Sequence, residues 1–183
     1  GVVAALCDIS PLGIAVARRA GIPSVLIENF TWDWIYEGYD DPRLAEHARW
    51  FEAAFAAADH HIQCEPLCAT GLALARVPPV SRTPRKPRAQ VRTELGIGPD
   101  DPLVMVSMGG VPGHYGWLDS LAHSDVATFV VPGVGDRPRR TGQLLTLPQH
   151  SVHFHPDLVG AADAVAGKLG DSTASAVFHA GVP

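Results

Sequence analysis

Residues 2–28, VVAALCDISPLGIAVARRAGIPSVLIE, decide the fold class of this chain. The runs VVAALC and SVLIE at the two ends of this stretch are short and apolar, which is typical of buried strands. Between them, Ser10 followed by Pro11 is typical of the start of a helix, and Gly21 is typical of its end. The order of strand, helix and strand predicts a βαβ unit with parallel strands.

The alternation of strands and helices returns after residue 100. Apolar runs there predict strands, and stretches with helical spacing predict helices. The strands are expected at residues 103–107, 127–131, 151–154 and 164–166, the helices near 117–123, 157–161 and 172–180, and a loop up to residue 149. The sequence therefore predicts a second α/β unit.

An abrupt change of composition separates the two halves. Residues 76–92 alternate prolines with arginines and a lysine and contain almost no apolar side chain. Such a composition is typical of a linker. We therefore expect an amino-terminal domain at residues 1–75, a linker at 76–92 and a carboxyl-terminal domain at 93–183.

The composition of the 183 residues excludes several classes of protein. The 14 Lys and Arg against 19 Asp and Glu give a formal net charge of -5, so no nucleic acid is expected as a partner. The longest apolar runs are far shorter than the ~18 residues of a membrane-spanning helix. Three cysteines without the spacing of a disulfide framework favour a reducing compartment, and we expect the cytoplasm.

Two histidines and two cysteines, His60, His61, Cys64 and Cys68, are candidate zinc ligands. Adjacent histidines on a strand point to opposite faces, however, and the spacing of the cysteines fits a helix that Pro66 would interrupt. We therefore expect no metal site.

Two glycine-containing turns between a predicted strand and a predicted helix are the strongest chemical signal. One is SMGG, from Ser107 to Gly110, and the other is GKLGDST at residues 167–173. A helix amino terminus offers N–H groups and about half a positive charge, and glycine lets the backbone approach a phosphate. Each turn is a candidate anion site. Ordinary capping of the last helix by Ser172 or Thr173 is the alternative for the second.

Two further positions carry candidate chemistry near the amino terminus. Asp8 ends the first predicted strand and is either a helix cap or a carboxylate that orients an acid/base group at the sheet edge. Asp33 lies between Trp32 and Trp34. Aromatic faces beside a carboxylate are typical of sugar binding, and a core role is the alternative.

Two histidines near residue 154 are expected on one face of a strand. His153 and His155 alternate around Phe154 in the strand predicted at residues 151–154, and Asp157 follows at the next turn. They are either a solvated strand end or part of a ligand site, because open parallel sheets bind ligands at the carboxyl ends of their strands.

Several of these segments together resemble a known family. Residues 104–110, VMVSMGG, and 155–183, HPDLVGAADAVAGKLGDSTASAVFHAGVP, resemble the donor-binding half of GT-B glycosyltransferases, among them the peptidoglycan-precursor N-acetylglucosaminyltransferase. Residues 8–30, DISPLGIAVARRAGIPSVLIENF, followed by TWDWIY, resemble a glycosyltransferase-like group that includes the amino-terminal domain of plant L-arabinokinases. The resemblance implies the GT-B fold, with two Rossmann-like parallel-sheet domains, both incomplete in this chain.

The resemblance also implies a substrate and roles for residues. The substrate would be a nucleotide diphosphate sugar, used without a metal or other cofactor, and the acceptor a small or lipid-linked molecule. Asp8 would orient a histidine base that this chain does not contain, while Trp32 and Asp33 are the candidates for acceptor binding. The donor-binding positions would be Ser107, Gly109, Gly110, Phe154, His155, Gly170, Ser172 and Thr173.

Two positions depart from the family. Ala176 replaces a glutamate that binds the ribose, and Asp171 replaces an aromatic or apolar residue, although a carboxylate beside a diphosphate is unfavourable. The leading hypothesis is an inverting transfer of a sugar to an acceptor. The alternatives are a non-catalytic sugar-nucleotide-binding module of a sugar-kinase-like protein and a sugar-nucleotide epimerase.

Overall fold

The computed structural model describes residues 1–109, 115–168 and 170–183. The chain divides into two compact units, Gly1–Val80 and Ser81–Pro183, and each unit has its own sheet of mainly parallel strands. The predicted α/β class with parallel sheets is therefore confirmed. Among the described residues, every helix is too short or too polar to cross a lipid bilayer.

The first unit is built on a fully parallel sheet with the strand order β1-β2-β3-β4. A short 3-10 helix at Pro42–Leu44 precedes α3. The elements are β1 (Ala5–Asp8), α1 (Pro11–Ala20), β2 (Ser24–Glu28), α2 (Trp32–Glu37), α3 (Ala45–Ala56), β3 (His60–Cys64) and β4 (Ala75–Val77).

Local signals in the sequence explain the first βαβ unit. The Ser10 hydroxyl accepts a hydrogen bond from the Gly13 amide at the start of α1, and Gly21 ends the helix in the left-handed conformation, which glycine adopts without strain. Both bounds of α1 and of β2 agree with the prediction. The core of this unit contains Cys7, Ile14, Leu26 and Phe55.

The second unit has the strand order β7-β8-β6-β5-β9, in which only β7 runs antiparallel to its neighbour. Its largest core cluster includes Val91, Leu103, Met105, Val130 and Leu158. The elements are α4 (Arg88–Glu94), β5 (Leu103–Ser107), α5 (Leu118–Leu121), β6 (Thr128–Pro132), β7 (Arg139–Thr141), β8 (Leu144–Leu147), α6 (His155–Ala161), β9 (Ala164–Gly167) and α7 (Asp171–Ala180).

Two expectations for the segment between β6 and α6 were wrong. The expected loop contains the hairpin of β7 and β8, which Gly142 makes possible with a φ of +55°. Residues 151–154 form bends rather than a strand, because the Ser151 amide donates to the Pro148 carbonyl oxygen and the Ser151 hydroxyl to that of His153. His153 and His155 therefore do not share a strand face, and His155 is the first residue of α6.

The segment expected as a linker is partly packed. Its first residues belong to β4, and its last residues form α4. In α4, Val91 is fully buried and Arg92 is 2% exposed. Residues 88–90 of this helix are exposed, whereas Val91 and Arg92 are buried in the second unit, so the segment expected as a linker contributes to the core of that unit.

Candidate functional site

The carboxyl ends of β5 and β9 lie side by side in the second sheet. Ser107 pairs with Gly167, and the Lys168 amide donates to the Ser107 carbonyl oxygen at 2.9 Å. Gly167 has a φ of +144°, and a Cβ there would overlap the carbonyl oxygen of Ser107. Only glycine fits this close approach of the two backbones.

The two glycine-containing turns meet at this edge. Gly109 has a φ of +75°, and the Cδ of Lys168 lies 3.5 Å from the position that a Cβ on Gly109 would occupy. Gly110, which was also predicted as donor-binding, lies outside the described residues. Sequence reasoning treated the turns separately and missed Lys168, a cation that a diphosphate site can use.

Helix α7 begins directly after this edge. Gly170 is the N-cap residue of this helix and, having no side chain, offers no side-chain cap. The capping role considered for Ser172 or Thr173 was therefore wrong. Both residues lie in the first turn of the helix, where N–H groups and the helix dipole favour an anion. Asp171, at the same end, places one negative charge there.

Phe154 is covered by two arginines that precede α4. The guanidinium carbon of Arg85 lies 4.0 Å from the centre of the phenyl ring, and that of Arg82 lies 4.9 Å from it. Burial, and next the positive charge of Arg82, lower the pKa of His155. Sequence reasoning assigned both arginines to the linker. Their spacing of three residues in a generally acidic chain was the signal that could have found them.

A cavity of about 260 Å³ lies beside the arginines within the second unit. Arg82 lines this cavity together with Pro156 from α6 and Ala176 from α7. Ala176 is also packed in the core and only 6% exposed. The position at which the family has a glutamate therefore faces both the core and a cavity with a cationic wall. The other lining residues are Ser81, Thr83, Pro84 and His179.

In the first unit, three ionisable side chains lie at the carboxyl ends of neighbouring strands. Asp8 ends β1, Glu28 ends β2 and Cys64 ends β3. Burial raises the pKa of the Cys64 thiol, and the negative charges of Glu28 and Asp8 raise it further. The capping role considered for Asp8 was wrong, because Ser10 caps α1.

Glu28 belongs to a buried network that the sequence did not indicate. The residue is 5% exposed. Its carboxylate oxygen Oε1 lies 2.6 Å from His61 Nε2 and accepts a hydrogen bond from Gln63 Nε2 at 2.9 Å. His61, one of the candidate zinc ligands, is therefore engaged with a carboxylate. Within residues 1–109, 115–168 and 170–183, no three His, Cys, Asp or Glu side chains are grouped to hold a metal ion.

The aromatic segment forms α2 and its flanks. Trp32 and Trp34 are each about two-fifths exposed, and the Trp32 ring packs edge-on against Phe30. One carboxylate oxygen of Asp33 is buried, and no donor among the described residues reaches it. Because both indoles are partly exposed, they are not core side chains, and they leave aromatic surface that a sugar ring can contact.

No protein-family model matches this chain. A curated relative, the L-arabinokinase of Arabidopsis thaliana, is 30% identical over 188 aligned positions, which include 96% of this chain. The chain is similar to a segment of that enzyme. The alignment spans 17% of the length of the L-arabinokinase, so the activity of the whole relative does not transfer to this chain by the comparison alone.

Proposed function

We propose that this chain is the nucleotide-sugar-binding part of a GT-B-like glycosyltransferase. The observation that carries the proposal is the meeting of the two glycine turns, where the Lys168 side chain approaches Gly109 and α7 begins at Asp171, three residues after Lys168, with Gly170 as its N-cap. A cation, close backbone and helix N–H groups together are suited to a diphosphate. The resemblance of the sequence to sugar-nucleotide-dependent enzymes names the class of ligand.

The donor would lie along the edge of the second sheet. Gly109 would adjoin the diphosphate, while Gly170, Ser172 and Thr173 would donate hydrogen bonds to it. Ser107 supports this turn from the end of β5. The nucleotide would adjoin Phe154 and His155, beside Arg82 and Arg85.

The proposed reaction is an inverting sugar transfer. The acceptor oxygen bonds to the anomeric carbon of the sugar while the bond from that carbon to the diphosphate breaks and its electron pair leaves with the diphosphate. The acceptor proton passes to a base that Asp8 would orient. Lys168 and the start of α7 would stabilise the negative charge of the leaving group, and Trp32 and Asp33 would hold the acceptor.

A second candidate function has its own observations. The matched relative is named as a sugar kinase, and Asp171 and Ala176 both weaken the usual contacts of a donor. A module that binds a sugar nucleotide without turning it over fits these facts. The two functions predict the same binding site and differ only in turnover.

Titration calorimetry with uridine diphosphate and adenosine diphosphate tests the binding site. Replacing Thr173→Val, which removes the hydroxyl but keeps the shape, is expected to weaken binding about tenfold or more, as for a charge-assisted hydrogen bond. Thr173→Ser is the control that keeps the hydroxyl and the affinity. Asp171→Asn is expected to strengthen binding ~5-fold by removing a like charge. A folded wild-type protein that binds neither nucleotide at millimolar concentration contradicts the proposal.

Turnover of uridine diphosphate sugars by the full-length protein separates the two functions. For a transferase, Asp8→Asn is expected to lower turnover by roughly a hundredfold or more while nucleotide affinity stays unchanged. A binding module would release no diphosphate from any sugar nucleotide, with or without this substitution.

A further inference from the structure

Helix α6 and its N-cap residue hold the segment of residues 82–86 through three residues spaced by three positions. They are Phe154, Asp157 and Gly160, which lie on the same side of the helix. Phe154 carries the guanidinium groups of Arg82 and Arg85, and Gly160 lies against Pro84, whose Cγ would be 3.7 Å from a Cβ at this position. The stripe therefore fixes residues 82–86 at three points.

Asp157 is the central and most buried of these contacts. The residue is 3% exposed, and its Oδ1 accepts hydrogen bonds from the backbone amides of Arg85 at 2.6 Å and Lys86 at 3.2 Å. A buried carboxylate is costly unless such donors satisfy it. Asp157 is thus committed to the backbone of this segment rather than to a ligand.

We propose that Asp157 is a positioning residue of the nucleotide site, which fixes Arg82 and Arg85 against Phe154 so that their charges face a nucleoside diphosphate. This inference rests on the proposed function. By holding the Arg85 amide, Asp157 determines where the arginine side chain starts, and the 4.0 Å stacking distance follows from that anchor. Pre-ordering of two long, flexible side chains lowers the entropy cost of binding an anion.

The position of Arg85 is measurable without any ligand. Its side-chain protons are expected to resonate upfield because of the ring current of Phe154, and Phe154→Leu identifies that contribution. The upfield shift is expected to disappear in Asp157→Ala and to persist in Asp157→Asn, which keeps an oxygen acceptor for the two amides. Asp59→Ala is the control, because Asp59 also accepts a backbone hydrogen bond, from Ser24 at 2.8 Å, and belongs to the first unit.

Affinity for uridine diphosphate provides the functional measurement on the same proteins. Asp157→Ala is expected to weaken binding about tenfold, with rescue by Asp157→Asn. In a background that already carries Arg82→Ala and Arg85→Ala, the same substitution is expected to have no further effect on affinity. Asp59→Ala is expected to lower the midpoint of thermal unfolding without changing affinity.

The outcomes separate this inference from the proposed function. If the wild-type protein binds uridine diphosphate but Asp157→Ala keeps either the Arg85 shift or the affinity, the positioning role is overturned and the donor site stands. Failure of Asp157→Asn to restore both also overturns it. If the folded wild-type protein binds no nucleotide, the donor site is overturned together with the role of Asp157 towards it.

Discussion

Gly167 shows how a single residue type controls the candidate site. Its φ of +144° is a conformation that other residues rarely adopt, and its α-carbon faces the carbonyl oxygen of Ser107. This contact lets Lys168 follow directly and brings the turn beside Gly109. The glycine therefore acts on both the packing of β5 and β9 and the position of the cation.

Gly167→Ala is expected to lower the free energy of unfolding by ~3 kcal/mol or more, since it combines a strained φ with a steric overlap. Gly170→Ala is the matched control, because Gly170 has a φ of -136° and open space around its α-carbon. Chemical denaturation of both variants checks this. Similar stability of the two proteins would show that the backbone at residue 167 relaxes.

His155 gives the second unit a specific pH dependence. Burial, and next the charge of Arg82, lower its pKa in the folded state, whereas in the unfolded chain a histidine titrates near ~6.5. The unfolded state therefore binds this proton more readily as the pH falls. The contribution of neutral His155 to stability is complete above pH ~6.5 and is lost progressively as the pH falls from there towards the lowered pKa.

His155→Gln is expected to flatten the decrease in stability as the pH falls below about 6.5. Denaturant midpoints at several pH values measure this slope. His150→Gln, at an exposed position, is the control and is expected to leave the slope unchanged. An unaltered slope in the His155 variant would assign the pH dependence to other groups.

At the scale of elements, a buried arginine joins α4 to the loop before β5 and to the end of α6. Arg92 donates to the Gly98 carbonyl oxygen at 2.9 and 3.0 Å and to that of Ala161 at 3.0 Å, and it also bonds to the Asp101 carbonyl oxygen. The loop before β5 and the end of α6 therefore converge on one planar group, whose fork of donors a lysine cannot reproduce.

Arg92→Ala is expected to lower the free energy of unfolding by ~3 kcal/mol or more, because the buried carbonyl oxygen of Ala161 and the partly buried ones of Gly98 and Asp101 lose their donor. Arg92→Lys is expected to fall between this variant and the wild type, and it remains measurable if the alanine variant does not fold. Gln90→Ala, on the exposed side of α4, serves as control. Equal stability of the Arg92 and Gln90 variants would contradict the fastening role.

At the scale of the whole molecule, the chain consists of two separately packed units whose limit falls between Val80 and Ser81. On the amino-terminal side of the limit, β4 ends at Val77. On the other side, Asp157 and Phe154 bind residues 82–86 to the second unit. The basic, proline-rich segment is therefore divided between a short exposed part and a part that belongs to the second unit.

Brief digestion with a protease of broad specificity is expected to cut first near the bond between Val80 and Ser81, because Val80 is exposed and the flanking residues are held by their own units. Mass spectrometry of the fragments locates the cut. Helix α4 is the internal control, as its buried Val91 should protect it. A first cut within Arg88–Glu94 would contradict this assignment of the segment.

Elements with local signals could be predicted from the sequence alone. The bounds of α1, β2 and β5 follow from apolar runs, a serine cap and a terminal glycine, which act within a few residues. The glycine turns of the candidate site were found for the same reason. The hairpin of β7 and β8 was missed because short polar strands such as RRT have no apolar pattern.

Which of these parts meet depends on the tertiary packing. The approach of Lys168 to Gly109 and the stacking of Arg82 and Arg85 on Phe154 join residues from distant segments. The hydrogen bond from Arg85 to Asp157 spans 72 positions. No local pattern encodes such pairs, because they form when the strand order of the second sheet brings α6, α7 and the segment before α4 together. The charges of Asp157 and Arg92 can be buried only in that packing, because only the folded chain brings their hydrogen-bond partners to them.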